Sequence, residues 1–465
     1  MTTSEALPAT PVRSSWILLA LACACQFMVI LDASIVNVAL PAVDRDLGFA
    51  GAGLAWVVDG YLLAFAGFML AGGRAADLFG PRRMLTAGLL LFSGASLAAG
   101  LAAAPAVLVA ARIAQGVGAA LLAPATLVVI NIYFTGVRER ARAFGAWSAA
   151  GGVGGMAGAL AGGALTTGLS WRWVFLINVP IGAVLIALAL TRLAHAPARR
   201  GPLDLPGAIC GTAGLAVLIY GVMSSTDRPA VVPIVAGLLL LGAFVLIEAR
   251  AARPVLPLRL LRIRGVAVGG LLLVLFGAIA IAMWYFTALF LQEMLGYSAL
   301  QAGLGQTPAA LAFVAVARQA APLLPRLGVR PLILAGCALF VAGFAWLAQA
   351  GAGTGYATGV LVPSLLVAAG IGLVFPTLMA AATADAPAGE AGIVGGIAAT
   401  AQQAGGAIGL AALATLASGY DRVFLTAAGI AVVIAALGLL LPRQRSAAHG
   451  DADHGTRCSP ATSGT

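Results

Sequence analysis

Apolar runs of about 20 residues recur along the whole of this chain, and no other feature restricts its fold so tightly. Each run is long enough to cross the hydrocarbon of a bilayer as a helix. Inside lipid every backbone N–H and C=O must find its partner within the protein, which leaves only helices and closed barrels. A barrel would need strands of about ten residues that alternate in polarity, and the sequence has none. Charged residues make up 9% of the chain and hydrophobic ones 61%, against about 25% charged in a soluble domain. An all-α integral membrane protein is expected. Its spans fall near 15–40, 51–72, 84–103, 105–134, 143–166, 173–193, 205–224, 230–249, 265–291, 299–322, 331–350, 356–380, 393–417 and 423–442.

The arginines orient these spans. With a cytoplasmic N-terminus, only Arg45, Arg172, Arg228 and Arg422 fall outside, and Arg112 and Arg318 fall within spans. All the others of the 26 basic residues face the cytoplasm. That is the positive-inside bias, and it accounts for the net charge of +10 without a nucleic-acid partner. Both termini are then cytoplasmic. Lysine is absent while alanine and glycine abound, which points to a GC-rich, bacterial genome. Without lysine there is no Gly-x-x-x-x-Gly-Lys-Ser/Thr phosphate loop, so the energy for any transport comes from an ion gradient or a partner. Cys23, Cys25, Cys210 and Cys337 lie in apolar spans, Cys458 lies in the tail, and His195, His449 and His454 lie outside the spans. No disulfide, metal site or cofactor is expected. Residues 1–14 read as an uncleaved cytoplasmic tail and 443–465 as a disordered one.

Three charges inside the spans stand out, because a charge in hydrocarbon costs at least a few kcal/mol and so faces protein or water. Asp32 lies roughly 7 Å outside the centre of the first span, too deep for so short a side chain to reach the interface. Asp59 falls about 4 Å outside the centre of the second; a structural hydrogen bond to a neighbouring helix would explain it as well as a functional role would. Arg112 lies roughly 11 Å outside the centre of the fourth, within snorkelling range, and shares a helix face with Gln115. Asp32, Asp59, Arg112 and Gln115 thus form a candidate layer for proton coupling or substrate binding. An acid that alternates between a proton and a cationic partner needs low dielectric, which favours its neutral form. It also needs a nearby arginine, which favours its ionised form.

Six spans precede and six follow the pair 205–224 and 230–249. This suggests duplicated halves: a bundle over 15–193, an insertion with flanking basic loops over 194–264, and a second bundle over 265–442. Gly80-Pro81-Arg82, after the second span, is echoed by Gly328-Val329-Arg330 after the tenth. The first of these turns belongs to Gly73-Arg74-Ala75-Ala76-Asp77-Leu78-Phe79-Gly80-Pro81-Arg82-Arg83. It resembles the Gly-x-x-x-Asp-x-x-Gly-x-Arg-Arg loop of the major facilitator superfamily. The resemblance implies that Gly73, Asp77, Gly80, Arg82 and Arg83 latch the two halves in one conformational state; Leu78 and Pro81 stand where basic residues are common. Arg112-Ile113-Ala114-Gln115-Gly116 resembles the family's Arg-x-x-Gln-Gly element, whose arginine assists proton transfer. In the fifth span Gly154, Gly158 and Gly162 repeat every four residues and give a smooth face for close packing. Gly158, Gly162 and Gly163 also match the antiporter element Gly-Pro-x-x-Gly-Gly, with Ala159 in place of its proline. Further matches cover 31–41, 171–180, Asp204, Gln292 and Leu295-Gly296-Tyr297. With the two-span insertion, they resemble the fourteen-span drug:proton antiporters of that superfamily.

In the second half, Trp284 and Tyr285 can stack on a flat or cationic substrate, although ordinary packing or an interfacial belt explains them more simply. Gln402 and Gln403, among the glycines of the thirteenth span, are candidate cavity hydrogen-bonders, whereas Arg318 reads as snorkelling from the inner end of the tenth span and Glu293 as a solvated acid at the outer mouth. The resemblance implies a major facilitator fold of two six-helix bundles plus a two-helix insertion. It implies a transporter and not an enzyme, one that exports hydrophobic or cationic drugs and antibiotics across the cell membrane in exchange for protons. A monomer in the lipid bilayer is expected. A uniporter, importer or exporter of a physiological metabolite is the alternative on the same fold. A membrane sensor or enzyme finds no catalytic cluster or output domain here.

Overall fold

The computed structural model describes residues 12–49, 51–134, 136–194, 205–223, 231–251, 254, 256–351, 353–387, 390–416 and 419–441. The tails beyond these bounds lie outside the described residues, as do His195, Arg199, Arg200, Asp204, Arg228, Arg253, His449, His454 and Cys458. The first half comprises α1 (Val12–Leu47), α2 (Trp56–Phe79), α3 (Pro81–Gly100), α4 (Pro105–Tyr133), α5 (Val137–Gly168), the short α6 (Trp173–Leu176) and α7 (Asn178–Arg192). A helix pair follows, α8 (Leu205–Met223) and α9 (Val231–Arg250). The second half comprises α10 (Arg264–Ile281), a π-helical turn (Ala282–Phe286), α11 (Thr287–Glu293), α12 (Ala299–Leu327), α13 (Val329–Leu347), a second π-helical turn (Ala357–Leu361), α14 (Val362–Ala384), α15 (Ala391–Leu416) and α16 (Tyr420–Gly438).

Every expected span coincides with helix, but the count of fourteen crossings goes beyond what length and composition support. Among the described residues twelve stretches are long and apolar enough to cross a membrane. α5 is not among them, because the many glycines of its charge-free stretch dilute its hydropathy. In α8 the apolar stretch Pro206–Gly221 is shorter than the rest.

Local chemistry sets the helix ends. Gly80 has φ +85° and Gly328 φ +81°, left-handed values that favour glycine, and each makes the tight turn into the next helix. Pro81 then opens α3, where its missing N–H removes no helical bond. Ser298 caps α12 reciprocally: the Gln301 N–H donates to its Oγ at 3.3 Å, and its own N–H donates to Gln301 Oε1 at 2.9 Å. The two echoed turns are built alike. Arg82 Nη2 donates to the Leu190 carbonyl in the last turns of α7 at 2.7 Å. Arg330 donates to the Leu441 carbonyl, just past α16, from Nε at 3.0 Å and Nη2 at 2.6 Å. Each arginine thus satisfies a carbonyl at the end of the last helix of its own half.

Helices α1 to α7 pack on one another, as do α10 to α16, and the halves meet chiefly along α2 with α15 and α5 with α12. α9 pairs with α8, and α8 lies against both α2 and α15. One end of the molecule gathers the arginines of the 2–3 and 12–13 turns, the start of α5 and the loop after α9. At the other end the halves are joined by polar links: Gln292 Nε2 donates to Val38 O at 3.1 Å, and the Leu300 N–H to Thr167 Oγ1 at 3.2 Å.

Candidate functional site

The site is built on α1, and α5 fixes where α1 sits. A Cβ at Gly154 would lie 2.7 Å from Phe27 O, at Gly158 2.7 Å from Leu31 O, and at Gly162 2.5 Å from Ile35 O. The glycine stripe therefore presses the α5 backbone onto the turn that carries Asp32. Ser34 Oγ adds a hydrogen bond to Gly155 O at 2.7 Å. Gly163 does not belong to this stripe. Its missing Cβ faces Ala299 O of α12 at 2.6 Å, so it serves the seam between the halves.

Asp32 and Arg112 are both buried and paired, Arg112 Nη1 to Asp32 Oδ2, at 2.5 Å. Arg112 does not snorkel, because its donors find partners inside the bundle. Nε donates to Val57 O at 2.8 Å, Nη1 also to Gln115 Oε1 at 3.0 Å, and the guanidinium lies 4.3 Å from the centre of the Tyr61 ring. Gln115 Nε2 donates to Asp32 Oδ1 at 3.1 Å and to Ser96 Oγ at 2.7 Å. Asn178, the first residue of α7, donates from Nδ2 to Asp32 Oδ1 at 2.7 Å. A buried ion pair persists only when such bonds satisfy its remaining lone pairs and protons. Ser96, Tyr61 and Asn178 were not expected here from the sequence. Asn178 lies 146 positions from Asp32, and the one sequence signal for it was its place in the 171–180 segment.

Asp59 does not join the pair, although its depth suggested a common layer. Val57 and Tyr61 stand four residues apart and share the face of α2 that meets Arg112. Asp59 is rotated about 200° from Val57. It is buried, and neither carboxylate oxygen has a hydrogen-bond partner. Tyr285, in the first π-helical turn, lies within Coulombic reach of Asp59, Glu293 and Asp44. The Tyr285 ring is buried edge-on against Phe286, 4.9 Å between centres. Trp284 is half-buried, and its carbonyl accepts from Gln306 Nε2 at 3.0 Å. Gln402 and Gln403 are half-buried on α15, the helix that faces α2 and α10.

In the 2–3 turn, Gly73 faces Pro124 of α4 at 3.6 Å, Arg83 is exposed, and Arg82 donates to the Leu190 carbonyl of α7. The side chain of Asp77 lies outside the described residues. Among the described residues no three of His, Cys, Asp and Glu are grouped to hold a metal ion.

Comparison with known proteins agrees with this architecture. The Major Facilitator Superfamily pattern matches residues 22–410. The chain is 44% identical over 446 residues to the cephamycin export protein CmcT of Amycolatopsis lactamdurans, covering 91% of each chain. It is 39% identical over 441 residues to the puromycin resistance protein pur8 of Streptomyces alboniger, covering 90% of this chain and 87% of that one. Among solved structures, a POT family transporter in complex with 5-aminolevulinic acid superposes with a TM-score of 0.70 at 16% identity, over 93% of this chain and 98% of that one. A family match across most of the length, close relatives aligned almost end to end and a shared fold lead to one conclusion: this chain belongs to the Major Facilitator Superfamily, as a multi-pass membrane transporter and not an enzyme.

Proposed function

We propose that this transporter is a proton-coupled antiporter that exports hydrophobic compounds, antibiotics and cationic drugs among them, across the cytoplasmic membrane. The observation that carries the reading is the buried Asp32–Arg112 pair, completed by Gln115 and Asn178, in a chain akin to an antibiotic export protein and a resistance protein. A proton taken up by Asp32 removes the charge that pairs it with Arg112 and so releases it. The proton enters from outside, neutralises Asp32 and leaves to the cytoplasm; moving down a 100 mV potential it supplies about 2.3 kcal/mol. Asp59, buried and without a hydrogen-bond partner, is the group left to meet a cationic substrate or a second proton, and Trp284, Tyr285, Gln402 and Gln403 are the candidate lining of its path.

The arginine-rich end is cytoplasmic by the positive-inside rule, which puts both termini inside and gives fourteen crossings in two six-helix bundles with α8 and α9 inserted. The protein works as a monomer in the bilayer. Gly73, Asp77, Gly80, Arg82 and Arg83 act as a latch between the bundles in the alternate conformation.

Inverted membrane vesicles test the reading with puromycin as probe. Expected are uptake driven by an imposed proton gradient, its loss on adding a protonophore, and its loss in Asp32→Asn. Uptake that survives collapse of the gradient refutes antiport and favours a uniporter; equal uptake by Asp32→Asn removes Asp32 from the mechanism.

A further inference from the structure

The two amides on Asp32 are not alike. Gln115 is pinned, since its Oε1 accepts from Arg112 at 3.0 Å while its Nε2 serves both Asp32 and Ser96. Ser96 in turn donates to Phe92 O at 2.8 Å. Turning the Gln115 amide over would set its NH2 against the guanidinium and its oxygen against the carboxylate. Asn178 carries no such restraint. It is fully buried, its Nδ2 lies 2.7 Å from Asp32 Oδ1, and its own Oδ1 has no hydrogen-bond partner. A buried amide oxygen left without a partner is costly and calls for a reason.

We propose that Asn178 is a positioning residue that follows the protonation state of Asp32 by turning its amide over. With Asp32 ionised, Nδ2 donates to the carboxylate. When a proton bonds to Asp32 Oδ1, that atom becomes a donor, and a half-turn about the Asn178 Cβ–Cγ bond presents Oδ1 as its acceptor. The oxygen orphaned in one state is used in the other. The one bond formed is Oδ1–H of Asp32, the proton comes from solvent and returns to it, and no other group changes its protonation. Arg112 loses the charge of its partner but keeps Val57 O and Gln115 Oε1. Asn178 thereby holds a neutral, hydrogen-bonded Asp32 while the helices move. The inference rests on Asp32 being the proton carrier.

The groups around Asp32 leave no other candidate for this part. α4 brings Arg112, and α2 brings Tyr61, whose hydroxyl donates to Val29 O at 3.3 Å. α3 brings Ser96, α5 brings glycines, and α6 has no titratable residue. Asp59, Asp44 and Glu293 make no hydrogen bond or ion pair with the Asp32 network, and Arg318 and Arg326 of α12 are exposed in its arginine-rich half.

Infrared pH-difference spectra of the purified full-length protein test this without any substrate. The carboxylic-acid band of Asp32 is assigned by its loss in Asp32→Asn and its displacement in Asp32→Glu. Asn178→Leu, of similar volume, removes both donor and acceptor. The charge-assisted bond lost from the anion is about twice as strong as the neutral one lost from the acid, so the pH of half-conversion should rise by about half to one unit and the band should shift. Asn178→Asp sets two carboxylates to share one proton, and half-conversion should rise by about two units or more. A merely structural role lowers thermal stability and moves neither readout. Unchanged midpoint and band frequency in both variants overturn the inference; a band that survives Asp32→Asn overturns the assignment of Asp32 as proton carrier instead.

Discussion

Gly158→Ala tests whether the α5 backbone holds the turn that carries Asp32. An added Cβ lands 2.7 Å from Leu31 O and 2.7 Å from Ser34 Cβ, where carbon contacts relax at about 3.5–4.0 Å. A helical carbonyl cannot swing aside, so α5 must back away from α1 by roughly 1 Å. Overpacking of this kind costs ~1–3 kcal/mol, offset by about 0.8–1.0 kcal/mol from alanine's better helix propensity. Gly145→Ala is the control: the same exchange on the same helix, with nothing within 4 Å of the new Cβ. It should gain about 1 kcal/mol and lose nothing. The two variants should therefore differ by ~1–3 kcal/mol, read from thermal unfolding of the purified proteins followed by size-exclusion chromatography. Gly158→Ala should also lower transport more than Gly145→Ala does, because the Ser34–Gly155 bond lengthens and the Asp32 turn shifts with it. Equal stability of the two would refute the reasoning.

Two further substitutions follow from the same geometry. Arg112→Ala strands Asp32 in the core without its cation and should cost ~3–5 kcal/mol, seen as a fall in membrane-embedded protein on a quantitative blot. Asp32→Asn combined with Arg112→Leu should restore much of that level, a non-additivity expected of one coupled network. Gly80→Ala forces a side chain into φ +85°, ψ 151°, a region close to glycine-only, and should lower thermal stability by ~1–3 kcal/mol.

Much of this was legible in the sequence, for a physical reason. Lipid forces helices on apolar runs, so every expected span met a helix, and depth along a helix follows from residue number alone. Depth brought Asp32 and Arg112 to similar levels, and they do pair. Azimuth is what depth leaves out, and Asp59 shows it: two positions from Val57 on the same helix, it points away from Arg112 and ends without a partner. The glycines of α5 were legible as a packing face, yet the sequence could not tell that Gly163 turns to α12 while its neighbour Gly162 turns to α1. Asn178 and Ser96 escaped notice because small polar residues are common in membrane helices and carry no signal of their own. Only the position of Asp32, on a distant helix, gives them a part.

The seam between the halves offers a test of movement. At the end opposite the arginines, Gly303 of α12 packs so closely on Ala159 O of α5 that no Cβ fits, and Gly163 does the same against Ala299 O. These contacts join the two halves, so a side chain there penalises only conformations in which the seam is shut. For Gly303→Val the penalty is ~1–3 kcal/mol, which favours open-seam conformations by roughly 5–150-fold. Gln292→Cys reports on the change, since the native side chain reaches across the same end to Val38 O. In a background free of the native cysteines, a membrane-impermeant maleimide should label Gln292→Cys faster when Gly303→Val is present. The labelling reagent reaches it from outside the cell only if the arginine-rich end is cytoplasmic, so intact cells test the proposed orientation as well. Labelling that is slower or unchanged, with the protein still folded, would mean that the α5–α12 contact does not part during the transport cycle. The halves would then have to move about this seam rather than open it.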